Sequence, residues 1–119
     1  MSALTGSSAL PGYAVQGDAE TAARLRAEIT ELIGDARCNN LVNCRVVGLG
    51  AAPCGGPEEY VAYSIWKTVG DEIGTLVSEY NLIREDIALD SEAVGRCEQL
   101  LKPAVDCIRS RCVVVPDTR

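Results

Sequence analysis

Histidine and phenylalanine are absent from this chain, and tryptophan occurs once, at Trp66. Without His there is no imidazole to serve as general base, metal ligand or pH switch. A Ser-His-Asp or Cys-His nucleophile therefore cannot be assembled within the chain. Lysine is scarce, at Lys67 and Lys102 alone, which disfavours a lysine-dependent enzyme. No Gly-Lys phosphate loop and no D-x-D-x-D-G calcium loop occurs. No apolar run approaches the length of a membrane span. Residues 1–10 (MSALTGSSAL) lack the basic start and apolar stretch of an export signal. The expectation is a mature form from which such a signal has been removed.

What is present points to one folded domain. The chain has 119 residues, 47% of them apolar, enough for a single aliphatic core. The net charge of −6 argues against non-specific binding to phosphate backbones or anionic membranes. An acidic surface favours solubility, and it could also steer a basic partner.

Six cysteines stand at Cys38, Cys44, Cys54, Cys97, Cys107 and Cys112. An even count in a small chain reads as a disulfide framework, and disulfides imply an extracytoplasmic setting: periplasm, cell surface or secretion. Structural zinc fits less well, because no C-x-x-C pair occurs and His cannot complete a site. No metal and no cofactor is expected.

Residues 1–17 are rich in Ser, Gly, Ala and Pro and read as a flexible arm, with 18–116 as the stapled domain. If the natural protein is a lipoprotein, that arm is its spacer. Asp18–Gly34 carries an apolar stripe of Ala22, Leu25, Ile29, Leu32 and Ile33, with Asp18 as cap and Gly34 as stop. Residues 43–50 read as a strand and 51–57 (AAPCGGP) as a loop that neither helix nor strand can cross. Residues 59–65 alternate as a short strand. A second helix is expected from Thr68 to about Ile87, with a Thr68/Asp71 capping box and a stripe of Val69, Ile73, Leu76, Val77, Tyr80, Ile83 and Ile87. Gly70 and Gly74, one turn apart, suggest close approach of another backbone. Residues 97–101 could be extended, and 104–115 read as a hairpin turning at Arg109–Ser110. The assembled fold is α+β: two helices packed on a small antiparallel sheet, stapled by disulfides. Trp66, Tyr60 and Tyr63 are the expected large core pieces, with one tyrosine free to serve as an anchor.

The most distinctive stretch is the loop around Cys54. A Gly- and Pro-rich loop tethered by a cysteine is stiff, and a stiff exposed loop loses little entropy on binding. Its candidate contact residues are Leu49, Pro53, Gly55, Gly56, Pro57, Tyr60 and Tyr63. The bland alternative is that the glycines meet backbone constraints and Cys54 only anchors the fold. The paired carboxylates Glu58–Glu59, Glu85–Asp86 and Asp90–Glu92 read as solvated surface rather than as a glycosidase pair.

Cys54-Gly55-Gly56-Pro57 with Tyr60, Tyr63 and Ser64, then Tyr80-Asn81, then Cys97, Cys107 and Cys112, resembles a group of uncharacterised bacterial secreted or lipoprotein domains. The resemblance covers about residues 38–115. It implies export and a shared disulfide scaffold, with no activity to carry over. Pro53 to Tyr60 also resembles a stretch of Kazal-type protease inhibitors. Those domains need another Cys just after the Tyr, and here none lies between Cys54 and Cys97. The leading expectation is a non-enzymatic protein-binding or inhibitory domain whose partner is another protein, with no nucleic acid and no membrane span. A structural or assembly component of the bacterial envelope is the alternative, and an enzyme working with carboxylates alone is a third.

Overall fold

The computed structural model describes residues 11–90 and 100–117. Helix α1 spans Pro11–Ile33, so it starts within the expected arm. Proline at the first helical position is favourable: its fixed φ suits the helix, and its missing N–H would have been unpaired there. Asp18 consequently lies inside the helix and is not its cap. The expected stripe holds, with Ala22, Leu25, Ile29 and Ile33 buried and Leu32 packed against them. Gly34, at φ 58°, returns its N–H to the Thr30 carbonyl at 3.0 Å and stops the helix.

A short 3-10 turn, Leu41–Asn43, is capped by Asn40, whose side chain accepts from the Val42 N–H at 2.7 Å. Strand β1 (Cys44–Leu49) then pairs antiparallel with β2 (Glu59–Ser64), with Cys44 opposite Ser64 and Leu49 opposite Glu59. Ser64 is fully buried. Its carbonyl accepts from the N–H groups of Lys67 and Thr68, at 3.2 and 2.8 Å, which turns the chain into helix α2 (Gly70–Asp90).

Thr68 was expected to cap α2. It instead donates its hydroxyl to the Leu32 carbonyl at 3.0 Å, at the end of α1, and is itself buried. The two helices are thereby tied where one ends and the other begins. Val69 supplies the carbonyl for the first turn of α2 and is 61% exposed, outside the apolar stripe. Ile73, Val77 and Tyr80 are buried, while Leu76, Ile83 and Ile87 pack at the core's edge. Among the described residues, no backbone closely approaches Gly70 or Gly74.

Strands β3 (Ala104–Ile108) and β4 (Arg111–Val115) form a second antiparallel ribbon. The fold is α+β as expected, but the single sheet is two two-stranded ribbons. β2 packs on β4 and β1 on β3 without a shared ladder. What joins them is sulfur. Cys107 and Cys112 are opposed across β3–β4, and each is bonded outward, Cys38 to Cys107 and Cys44 to Cys112. The segment after α1 docks on the same hairpin, through Cys38 N–H to the Ser110 carbonyl and Cys112 N–H to the Ala36 carbonyl. Of the aromatic core pieces expected, Tyr60 and Tyr63 are half-buried and Trp66 is 59% exposed. The buried ring belongs to Tyr80.

The β3–β4 turn carries strain. Arg109 (φ 55°) and Ser110 (φ 65°) both take the left-handed region that a two-residue primed turn demands and that Asn-Gly occupies without penalty. Replacing Arg109→Asn together with Ser110→Gly is expected to raise stability by about 1–2 kcal/mol. Urea denaturation at neutral pH checks this through the midpoint at unchanged slope.

Candidate functional site

The loop between β1 and β2 begins at Gly50 and closes where the Glu58 N–H meets the Leu49 carbonyl at 2.8 Å. Within it, the Ala52 N–H reaches the Gly56 carbonyl at 2.9 Å, and the Gly55 N–H reaches the Ala52 carbonyl at 2.9 Å. Two glycines at its root are required by packing. A Cβ on Gly48 would stand 2.8 Å from the Pro57 ring, so glycine lets that ring lie on the strand. Gly50 takes φ 87°, and a Cβ there would overlap the Glu58 carboxylate.

Both helices fasten this loop. Asn81 of α2 accepts the Gly50 N–H on Oδ1 at 2.7 Å and donates Nδ2 to the Gly48 carbonyl at 3.4 Å. One turn on, Arg84 clamps Glu58 with two hydrogen bonds, at 2.9 and 2.7 Å. From α1, Arg26 clamps Glu59 with two more, both at 3.2 Å. Cys54 is disulfide-bonded as well. Glu58 and Glu59, read from sequence as solvated surface, are thus each held by an arginine.

The electrostatics follow from these clamps. Hydrogen bonding from Arg84 holds the Glu58 carboxyl below the usual carboxylate range, against the opposing effect of partial burial. The same hydrogen bond raises Arg84. Burial chiefly raises the Tyr80 phenol above its ordinary value. A carboxyl depressed on folding adds stability above its ordinary range, and that contribution is lost as pH falls through the folded value. Both side chains of the clamp are about one-third exposed, so solvent screening keeps the contribution to about 1 kcal/mol or less. Arg84→Met is therefore expected to lose about that much at neutral pH, with the difference from wild type vanishing as pH falls through the lowered folded-state value of Glu58 and its carboxylate is protonated. Urea unfolding across a pH series measures it.

Between the loop and α2 lies an open groove of about 760 Å³. Pro53, Gly55, Gly56 and Pro57 form part of one wall, and Ser78, Leu82, Glu85 and Leu89 part of the other. Leu82 and Leu89 are 63% and 79% exposed. Such a groove can receive an extended apolar segment. Ser78 and the carboxylate of Glu85 line the same wall, and the chain has no imidazole to set beside them.

Four of the residues singled out from sequence meet here: Pro53, Gly55, Gly56 and Pro57. Leu49 does not belong with them. It is 0% exposed, a core residue with no surface to offer a partner. The Tyr60 ring stands beside Gly48 at the loop's root, and Tyr63 pairs with Arg45 farther along the ribbon. The helical wall was missed. Its signal was present in Leu82 and Leu89, two leucines two turns apart that fall off the apolar stripe of α2.

Among the described residues no cysteine is free. The sulfurs of Cys38, Cys44 and Cys107 lie within 4.8 Å of one another, but all three are committed to disulfides and are not metal ligands. Cys97, expected in the disulfide framework, lies outside the described residues, as does most of the expected 97–101 extended stretch. No helix among the described residues is long and apolar enough to cross a membrane. No protein-family model matches the chain, and no curated protein or solved structure is significantly similar to it.

Proposed function

We propose that this chain is an extracytoplasmic, non-enzymatic domain that binds another protein in the groove between the Cys54 loop and α2. The observation that carries this reading is a loop fixed by Asn81, Arg84 and its own disulfide, facing two exposed leucines. A preset groove loses little entropy when a partner docks, and exposed leucines beside stiff backbone supply apolar contact. Two long-range disulfides support the extracytoplasmic placement. The residues carrying the resemblance to exported bacterial domains also converge: Gly55, Gly56 and Pro57 face the helix on which Tyr80 and Asn81 sit.

The test is affinity capture from an envelope fraction, with wild type and two groove variants as bait. Pro53→Arg and Leu82→Asp alter exposed side chains on opposite walls, so the fold should persist, as circular dichroism would check. Both are expected to lose a protein that wild type retains. Equal recovery by all three baits would remove the groove from the interaction. Leu49→Asp would not be a fair test, since it places a carboxylate in the core. The alternative, a structural or assembly component of the envelope, is favoured by a second surface described next.

A further inference from the structure

We propose that a second surface, remote in sequence from the Cys54 loop, joins two copies of this chain about a two-fold axis. It begins in a groove of about 700 Å³ between α1 and α2, with Leu32 and Leu76 on its floor and Glu28, Glu31, Asp71 and Glu72 around it. Beside this groove the surface changes sign. The aliphatic end of Lys67 lies against Gly34, the residue that ends α1. Lys67, Trp66 and Arg37 then line one small hollow, and Arg37 forms a β-bridge with Arg111 on the hairpin. The turn between the negative and positive halves bears exposed Ile65, Trp66 and Val69.

Three features fit a second copy better than an unrelated partner. First, most of the charges here are uncommitted; the exceptions are two exposed local pairs, Glu28 with Arg24 at 3.8 Å and Arg37 with Asp35 at 3.7 Å. Among the described residues no ion pair engages Glu31, Asp71, Glu72, Lys67 or Arg111, whereas Arg26, Arg84, Glu58 and Glu59 are paired within the chain. Second, both signs flank one apolar centre. A foreign acidic or basic partner would match half of this surface and be repelled by the other half. Third, a two-fold rotation near Trp66 sets the positive half of each copy on the negative half of the other, the self-complementary arrangement that closed dimers require. Trp66, the only tryptophan, is placed to be buried at the centre, where interface energy concentrates.

Sedimentation equilibrium over a range of protein concentrations tests this, with Trp66 fluorescence read in parallel. Wild type is expected to dimerise more tightly at low salt than at high salt, with a blue shift of the emission as dimer forms. Two charge-reversed variants complete the test: Glu31→Lys with Glu72→Lys, and Arg37→Glu with Lys67→Glu. All four side chains are exposed, so the fold should be retained. Each variant alone is expected to dimerise at least about tenfold more weakly. An equimolar mixture is expected to form the heterodimer, because the surface of one variant is then net positive and that of the other net negative. A wild type that stays monomeric overturns the proposal, as does a dimer indifferent to both reversals. Binding to anionic vesicles by a strictly monomeric wild type would also overturn it, assigning the cationic half to lipid. Loss of envelope capture by the groove variants is independent of all these outcomes.

Discussion

Removing either described disulfide is expected to destabilise the fold by about 3 kcal/mol, and removing both by about 7 kcal/mol, more than the two single losses together. The excess follows from geometry. Cys38–Cys107 and Cys44–Cys112 span separations of 69 and 68 residues, so they close nearly the same loop. Whichever bond is present alone restricts that long loop, worth about 4 kcal/mol in the chain-entropy account. The other then closes only the small ring through residues 38–44 and 107–112, worth about 3 kcal/mol. Cys38→Ser with Cys107→Ser, Cys44→Ser with Cys112→Ser, and the fourfold variant form a complete cycle. Chemical denaturation should show the non-additivity directly. A fourfold variant equal to the sum of the two double variants would mean that the stabilisation is local packing around buried sulfur, not chain restriction. With typical domain stabilities of about 5–15 kcal/mol, loss of both bonds brings the chain to the edge of unfolding. The same count frames the third crosslink. The two described pairs and the bonded Cys54 leave Cys97 as the remaining cysteine of the chain, and non-reduced peptide mapping is expected to find it joined to Cys54.

How far the sequence reaches can be judged residue by residue. The stripe from Ala22 to Ile33 was legible because helical spacing alone decides which residues meet the core. Strand β1, the Gly/Pro loop and the Arg109–Ser110 turn were legible for similar local reasons. Thr68 was misread because its hydroxyl had two possible uses. A local cap is visible in sequence, whereas the carbonyl of Leu32 is 36 residues away and is not. Trp66 was misread by composition: in a chain without Phe, the largest ring was assigned to the core. The turn after Ser64 carries it outward, and Tyr80 fills the interior instead. Gly70 and Gly74 were assigned a packing purpose for which the described residues supply no neighbour. For the candidate site, the loop wall was legible from its own composition. The helical wall was not, because which face of α2 meets the loop depends on Asn81 and Arg84 reaching residues 50 and 58, a tertiary choice.

Asn81 is the residue on which the groove's shape turns. Its side chain serves a backbone donor at Gly50 and a backbone acceptor at Gly48, two residues apart where β1 gives way to the loop. Gly50 is buried, and its N–H is directed to Asn81. Asn81→Leu keeps the side chain's approximate size and removes both partners, so it is expected to cost about 2–3 kcal/mol, mostly from leaving that N–H unsatisfied. Asn81→Asp keeps the acceptor for Gly50 but turns a carboxylate toward the Gly48 carbonyl, and should fall between wild type and Asn81→Leu near neutral pH. Gly50→Ala attacks the same corner from the other side. A Cβ at φ 87° is strained, and it must displace Glu58 from Arg84. Its expected cost is also about 2–4 kcal/mol. Hydrogen exchange at the Gly50 amide separates the mechanisms. If Asn81 holds the loop, that amide exchanges faster in Asn81→Leu than global unfolding permits, and the groove's partner is lost with the loop's order. If the amide stays protected and stability falls by less than about 0.5 kcal/mol, the disulfide at Cys54 and the Glu58–Arg84 clamp suffice to fix the loop. The binding surface is then a property of the β1–β2 ribbon, and α2 contributes only its leucines.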